Sequence, residues 1–196
     1  MRLKNILAVL GVAVSLFIFS GCQTKPPKSI SEIMQQPKNS DYYLAYNIWT
    51  DGKFKISSIN YQVRLIIPFG TKVRVKKVTS KAITFTVLST GEEYTIVYKD
   101  QYGLKPIEAF IRTLLTKKNG DQLAKGIPAS DVAMIKRGDI RRGMSKREVI
   151  LAYGPPSPHR TPSLENATWV YWLRRYPVSL TLRVIFKGDK VLEVLR

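Results

Sequence analysis

Between residues 41 and 100 apolar and polar side chains alternate in short runs, with turn residues between them. Tyr43 to Trp49 is β-prone and ends at Asp51-Gly52, a hairpin-type turn signal. Tyr61 to Ile67 closes at Pro68-Phe69-Gly70. Val73 to Val78 alternates with Arg74, Lys76 and Lys77, Ile83 to Val87 alternates with threonine, and Thr90-Gly91 turns the chain into Tyr94 to Tyr98. Short strands at this spacing predict a small antiparallel barrel or sandwich over 41–100. The period then becomes helical. Pro106 suits a first turn, and Ile107, Phe110, Ile111, Leu114 and Leu115 share one face. Lys117 and Lys118 complement the carbonyl end of that helix, and Asn119-Gly120 stops it.

A second helix is expected from Pro128 to Arg137, stopped by Gly138. Ser145 and Glu148 have the spacing of a capping box for a third, which Gly154 ends with a left-handed cap before Pro155-Pro156. Three strands follow: Thr168 to Arg174, Ser179 to Lys187 and Lys190 to Leu195. Leu180, Leu182, Val184 and Phe186 line one face of the middle strand, and Gly188-Asp189 closes the last hairpin.

Ahead of these elements the pattern is a leader. Arg2 and Lys4 precede an uncharged apolar run from Ile6 to Phe19, too short for a comfortable membrane span of roughly 20 residues. Phe19-Ser20-Gly21-Cys22 resembles the lipobox of bacterial lipoproteins, with Phe in place of the usual Leu. The resemblance implies cleavage before Cys22 and acylation of its thiol, two or three chains giving a stable anchor. Gln23, rather than Asp, then implies the outer membrane of a Gram-negative host, facing the periplasm, or the cell membrane if the host has no outer membrane. Cys22 is the only cysteine, so no internal disulfide can form. Residues 22–40 carry Pro26, Pro27 and Pro37 with few apolar side chains, which predicts a flexible tether, with at most a weak turn at Ile30, Ile33 and Met34.

Two further stretches carry resemblances. Ile66 to Val73 resembles the turn region of bacterial SH3-like barrels. The stretch Ile140 to Pro156, with its Gly143-Met144-Ser145 helix start, Val149 and Gly154-Pro155, is the most specific segment. Together with Trp169-Val170-Tyr171, Val184-Ile185-Phe186 and Lys190-Val191 it resembles the SmpA/OmlA family, the small lipoproteins of the outer-membrane β-barrel assembly machinery. That resemblance implies a compact ααβββ fold over 127–196 and an envelope protein complex as partner. The expected fold class is therefore α+β: leader 1–21, tether 22–40, an SH3-like all-β domain 41–100, a helical connector 101–126, and the ααβββ domain.

Charge changes the picture of partners. Loss of Arg2 and Lys4 with the leader lowers the formal +18 to +16. Inside a cell this excess would suggest nucleic acid; outside it, anionic lipid, peptidoglycan or an acidic protein are the expected counterparts. Catalytic chemistry finds little footing. Cys22 is committed to lipid, His159 is the sole histidine, the acids are scattered, and no phosphate-cradling glycine loop, cofactor motif or metal-ligand spacing is present. Two surfaces stand out for binding. One is the basic group Lys136, Arg137, Arg141, Arg142, Lys146 and Arg147, the last two badly placed against a helix N-terminal dipole. The other is the loop Pro155 to Glu165 leading into Trp169 and Trp172 beside Arg174 and Arg175, where at least one indole is expected on the outer face. The expected function is a non-enzymatic, membrane-anchored adaptor or scaffold; the alternative is a lipoprotein that holds anionic lipid or cell-wall glycan.

Overall fold

A computed structural model describes residues 28–174 and 179–196, with the side chains of Arg174 and Ser179 outside the description. The leader, Cys22, the first tether residues and Arg175 therefore lie outside the described residues. The chain is α+β. Its first half runs α1 (Ile30–Met34), β1 (Asp41–Leu44), β2 (Ile48–Thr50), β3 (Lys55–Ser57), β4 (Leu65–Ile67), β5 (Lys72–Val78), β6 (Ala82–Val87), β7 (Glu93–Val97), α2 (Asp100–Gly103), α3 (Ile107–Leu114) and β8 (Leu115–Thr116). The second half holds α4 (Gly120–Ala124), α5 (Ala129–Lys136), α6 (Lys146–Tyr153), β9 (Thr168–Arg174), β10 (Ser179–Lys187) and β11 (Lys190–Leu195).

The alternating run predicted as a small antiparallel barrel or sandwich contains an open six-stranded sheet in the order β3-β7-β6-β5-β1-β8, and β3 pairs with β7 in parallel. The barrel alternative is thus corrected, and the sheet is mixed, not wholly antiparallel. Asp51-Gly52 turns the chain, but the strands it joins do not pair: β2 pairs with β4 in a separate two-stranded sheet. Alternation specifies that a strand forms and which side chains it buries; it does not name the neighbour. The single run expected from Tyr43 to Trp49 is likewise split, because the chain leaves the large sheet after Leu44 to join β4.

One face of the large sheet carries Tyr42, Leu44, Val73, Ile83, Phe85, Tyr94 and Ile96, and α3 covers it with Ile107, Ile111 and Leu114. This helix ends sooner than its periodicity suggests. Leu115 turns extended and β8 pairs with the edge of β1, so Lys117 and Lys118 cap nothing. Asn119-Gly120 starts a helix instead of stopping one: the Asn119 side chain accepts from the Gln122 amide at the head of α4. The region expected as a helical connector therefore belongs partly to the first core. The tether is shorter than expected as well. Ser29 and Glu32 form a capping box on α1, Ile33 is buried in the first core, and Arg112 donates to the Ile33 carbonyl.

In the second half the predicted elements match closely. β9, β10 and β11 have the expected bounds and form one antiparallel sheet, with Gly188-Asp189 at the hairpin. Trp169, Tyr171, Leu173, Leu182, Val184, Phe186 and Val191 pack against Ile135 of α5 and Val149 and Ala152 of α6. Leu180 is the exception on its face, 40 % exposed at the strand's start. The Ser145–Glu148 capping box is present, and the start of α6 is tied to β11 by Lys146 N–H to the Asp189 carbonyl and Val191 N–H to the Met144 carbonyl. Gly154 ends α6 with φ 77° but an extended ψ of 177°, so it is a positive-φ terminus without the expected left-handed cap.

Candidate functional site

The two halves meet at a seam built from helix ends. An α-helix leaves its last carbonyls without intrahelical donors. Here α5 and α6 point those carbonyls at the segment 47–60, which supplies donors to them, the Ile135 carbonyl accepting from Gly138 N–H as well. Asn47 donates from Nδ2 to the Ile135 carbonyl at 2.6 Å, and its own amide donates to the Leu151 carbonyl. Asn60 donates from Nδ2 to the carbonyls of Asn47 and Tyr153, while its Oδ1 accepts from Trp49 N–H at 2.8 Å. Trp49 Nε1 reaches the Ala152 carbonyl, and its ring meets Tyr153 edge-on. Asn47 Oδ1 then accepts from Phe69 N–H, which fixes the Pro68-Phe69-Gly70 turn so that Phe69 plugs the core of the other half. Gly138 has φ +75° and lies under the Trp49 indole, where a Cβ would overlap the ring. These bonds make the expected domains one packed unit.

Beside this seam lies a cleft of about 140 Å³. Tyr46, Ile59, Tyr98, Tyr102, Phe110 and the run Pro155 to Pro158 form its walls, and Lys105 stands at the rim. Tyr98 and Phe110 lie 5.3 Å apart, and Tyr98 Oη donates to the Lys105 carbonyl. Ser157 Oγ donates to the Tyr102 carbonyl, fastening the proline run to α2. Tyr46 is hydrogen-bonded with Thr113, and burial holds its phenol far above the ordinary range. Gly103 sits so close under the Tyr98 hydroxyl that a Cβ would collide with it. The next residue, Leu104, is 62 % exposed with φ 52°, an unusual backbone for a bulky side chain.

The residues singled out by sequence fall in varied places. Trp169 is 0 % exposed, its ring 4.7 Å from Phe186, so it is core and not a binding aromatic. Trp172 occupies the opposite face of β9, partly buried, with the Arg160 guanidinium 5.0 Å from its ring centre. Arg174 lies in β9 without a described side chain, and Arg175 lies outside the described residues. The basic group is largely engaged. Arg141 pairs with Asp131 at 2.6 Å, Arg137 with Asp139 at 3.5 Å, and Lys136 lies over Phe69. Lys146 donates to the Leu164 carbonyl and lies over Trp169 and Phe186. Arg147 donates to the carbonyls of Leu123 and Lys125 at the end of α4. These contacts explain why two cations tolerate the start of α6. Among the described residues, Arg142 is the member of the group with no partner.

Sequence reasoning missed most of the cleft. Its signals were present in the spacing of Tyr98 and Tyr102 and in the proline run, but Tyr46 and Phe110 join only through the fold. His159 meets Tyr102 edge-on at 5.6 Å. Among the described residues no group of three His, Cys, Asp or Glu side chains is placed to hold a metal, and no helix is long and apolar enough to cross a membrane. Comparison with protein-family models, with curated proteins and with solved structures gives no match.

Proposed function

We propose that this chain is an envelope lipoprotein, acylated at Cys22, that acts as a non-enzymatic adaptor for a protein complex in the envelope. The observation that carries the reading is α1. Seven residues, 23–29, separate Cys22 from α1, and a chain of that length spans at most about 25 Å. A leash this short holds the body close to the lipid surface, as suits a scaffold working at a membrane. The packed seam supports the same reading, since a one-piece body presents its surfaces in a fixed relation. The order α5-α6-β9-β10-β11 agrees with the ααβββ arrangement that the SmpA/OmlA resemblance implies, which makes outer-membrane protein assembly the first complex to test.

The test is chemical. Native protein labelled with a palmitate analogue should carry label and start at Cys22 by mass spectrometry, and Cys22→Ser should remain an unlabelled, larger precursor. A leader still attached to native protein, or an unmodified thiol, refutes the anchor. Crosslinking in intact cells addresses the adaptor: a stoichiometric envelope protein is expected, and recovery of lipid or glycan alone would favour the alternative.

A further inference from the structure

We infer that the cleft at the seam is a docking pocket for a single aromatic side chain carried on an acidic segment of a partner protein. The inference rests on the adaptor reading and assigns its binding site. Size sets the first bound. At about 140 Å³ the cleft compares with a cavity that takes one benzene ring, and is well below the usual small-molecule pocket. One ring fits, and a cofactor does not.

The chemistry of the walls narrows the choice further. Tyr98, Tyr102, Phe110, Pro156 and Pro158 offer apolar faces. Several of the polar groups among them are committed inside the protein: Tyr98 to the Lys105 carbonyl, Tyr46 to Thr113, Ser157 to the Tyr102 carbonyl, and the Asn60 amide to Asn47 and Tyr153. A sugar ring must have its hydroxyls met by free donors and acceptors, and these walls hold few. An aromatic ring requires faces, which they supply.

The rim points to a protein partner. Leu104, between the lining residues Gly103 and Lys105, is the left-handed C-cap of α2, its amide bonded to the Asp100 carbonyl and its side chain 62 % exposed. Strained backbone that exposes a large apolar side chain next to a ring-sized cleft is the arrangement of a contact surface, in which a central pocket is ringed by water-excluding groups. Charge selects among segments. Lys105 is the one charged side chain among the lining residues of the cleft, and it is a cation. With a formal body charge of +16, carboxylates flanking the ring are favoured.

Methyl NMR on the mature full-length protein in detergent tests this, observing Ile59, Leu104, Ala109 and Thr113. The probes are a blocked pentapeptide with central tyrosine and four glutamates, its lysine-flanked and alanine-centred counterparts, and N-acetylglucosamine. Saturable shifts of these methyls are expected with the glutamate peptide, about tenfold weaker binding with the lysine peptide at low salt, and none with the alanine peptide. Ala109→Trp, which fills the cleft, should abolish the shifts. Lys105→Glu, at an exposed position tolerant of change, should erase the preference for glutamate flanks. The inference is overturned by no saturable shift, by equal binding of the alanine peptide, by tighter lysine-peptide binding, or by saturable sugar binding in place of peptide. Failure of Cys22 labelling would sink the anchor and leave this titration unchanged, so the two readings fail separately.

Discussion

Replacing Asn47 by alanine tests whether the seam holds the two cores together. Asn47 is 0 % exposed, and its side chain satisfies two buried backbone groups, the Ile135 carbonyl and the Phe69 amide. Truncation strands the Phe69 amide, whereas the Ile135 carbonyl keeps the Gly138 N–H at 2.8 Å. One buried group left without a partner costs about 1–3 kcal/mol, so the predicted loss is about 2 kcal/mol. That is a large share of the ~5–15 kcal/mol typical of a folded domain. With a urea slope of about 2 kcal/mol per molar, the midpoint should fall by about 1 M. Urea titrations should follow tryptophan fluorescence, which samples the seam at Trp49, and far-ultraviolet circular dichroism. The wild-type protein should give coincident curves from the two probes. Asn47→Asp adds an independent check. Its carboxylate would face the Ile135 carbonyl in a buried site, which raises its folded-state pKa above the unfolded ~3.9. Its damage should therefore be small below pH 4 and grow as pH rises, because the unfolded state gives up the proton first. A midpoint shift below about 0.5 M for Asn47→Ala, or a pH-independent Asn47→Asp, would refute the argument that these bonds join the halves.

Two further outcomes follow from other parts of the structure. Ile33→Ala removes the side chain that seats α1, so α1 should open locally and trypsin should cut at Lys38 at least about tenfold faster with little change in the main thermal transition; equal cleavage rates would count against a docked α1. Burial raises the phenol pKa of Tyr46 against the Thr113 hydrogen bond, of Tyr171 with a smaller push from Tyr153, and of Tyr153 against the pull of Arg196. Their contribution to stability is therefore complete below the unfolded value of about 10 and is lost as pH rises above it. Ultraviolet difference titration should show a late group of tyrosines that ionise only as the near-ultraviolet dichroism collapses, and ionisation of all of them in one step near pH 10 with the fold intact would contradict the burial.

The proposed docking pocket depends on the same seam. A body in which β2, β4 and the Phe69 turn are inserted between two cores cannot flex freely at the junction, and the cleft beside it is shaped by both halves at once. Tyr46, Tyr98 and Phe110 come from the first half, while Pro155 to Pro158 come from the loop after α6. Neither half alone would make the pocket.

What sequence alone determined is everything governed by neighbours a few residues apart. The alternation in 73–78, 83–87 and 94–98, the Ser145–Glu148 spacing, and the last three strands with their Gly188-Asp189 turn are local properties of the backbone, and each became the expected kind of element within a residue or so of its bounds. Tertiary structure decided what depends on distant partners. The sheet is open because its edge strands β3 and β8 lie at opposite ends of the order; α3 stops at Leu114 because β8 finds β1; and Trp169 turns inward because its face of β9 meets α6. The cations of the 136–147 cluster are engaged because carbonyls, carboxylates and rings from elsewhere reach them. Asn47 and Asn60 carry no periodicity at all, yet they bond to carbonyls 88 and 93 residues away. Periodicity records which side of an element is apolar; only packing shows which group a buried polar side chain must satisfy.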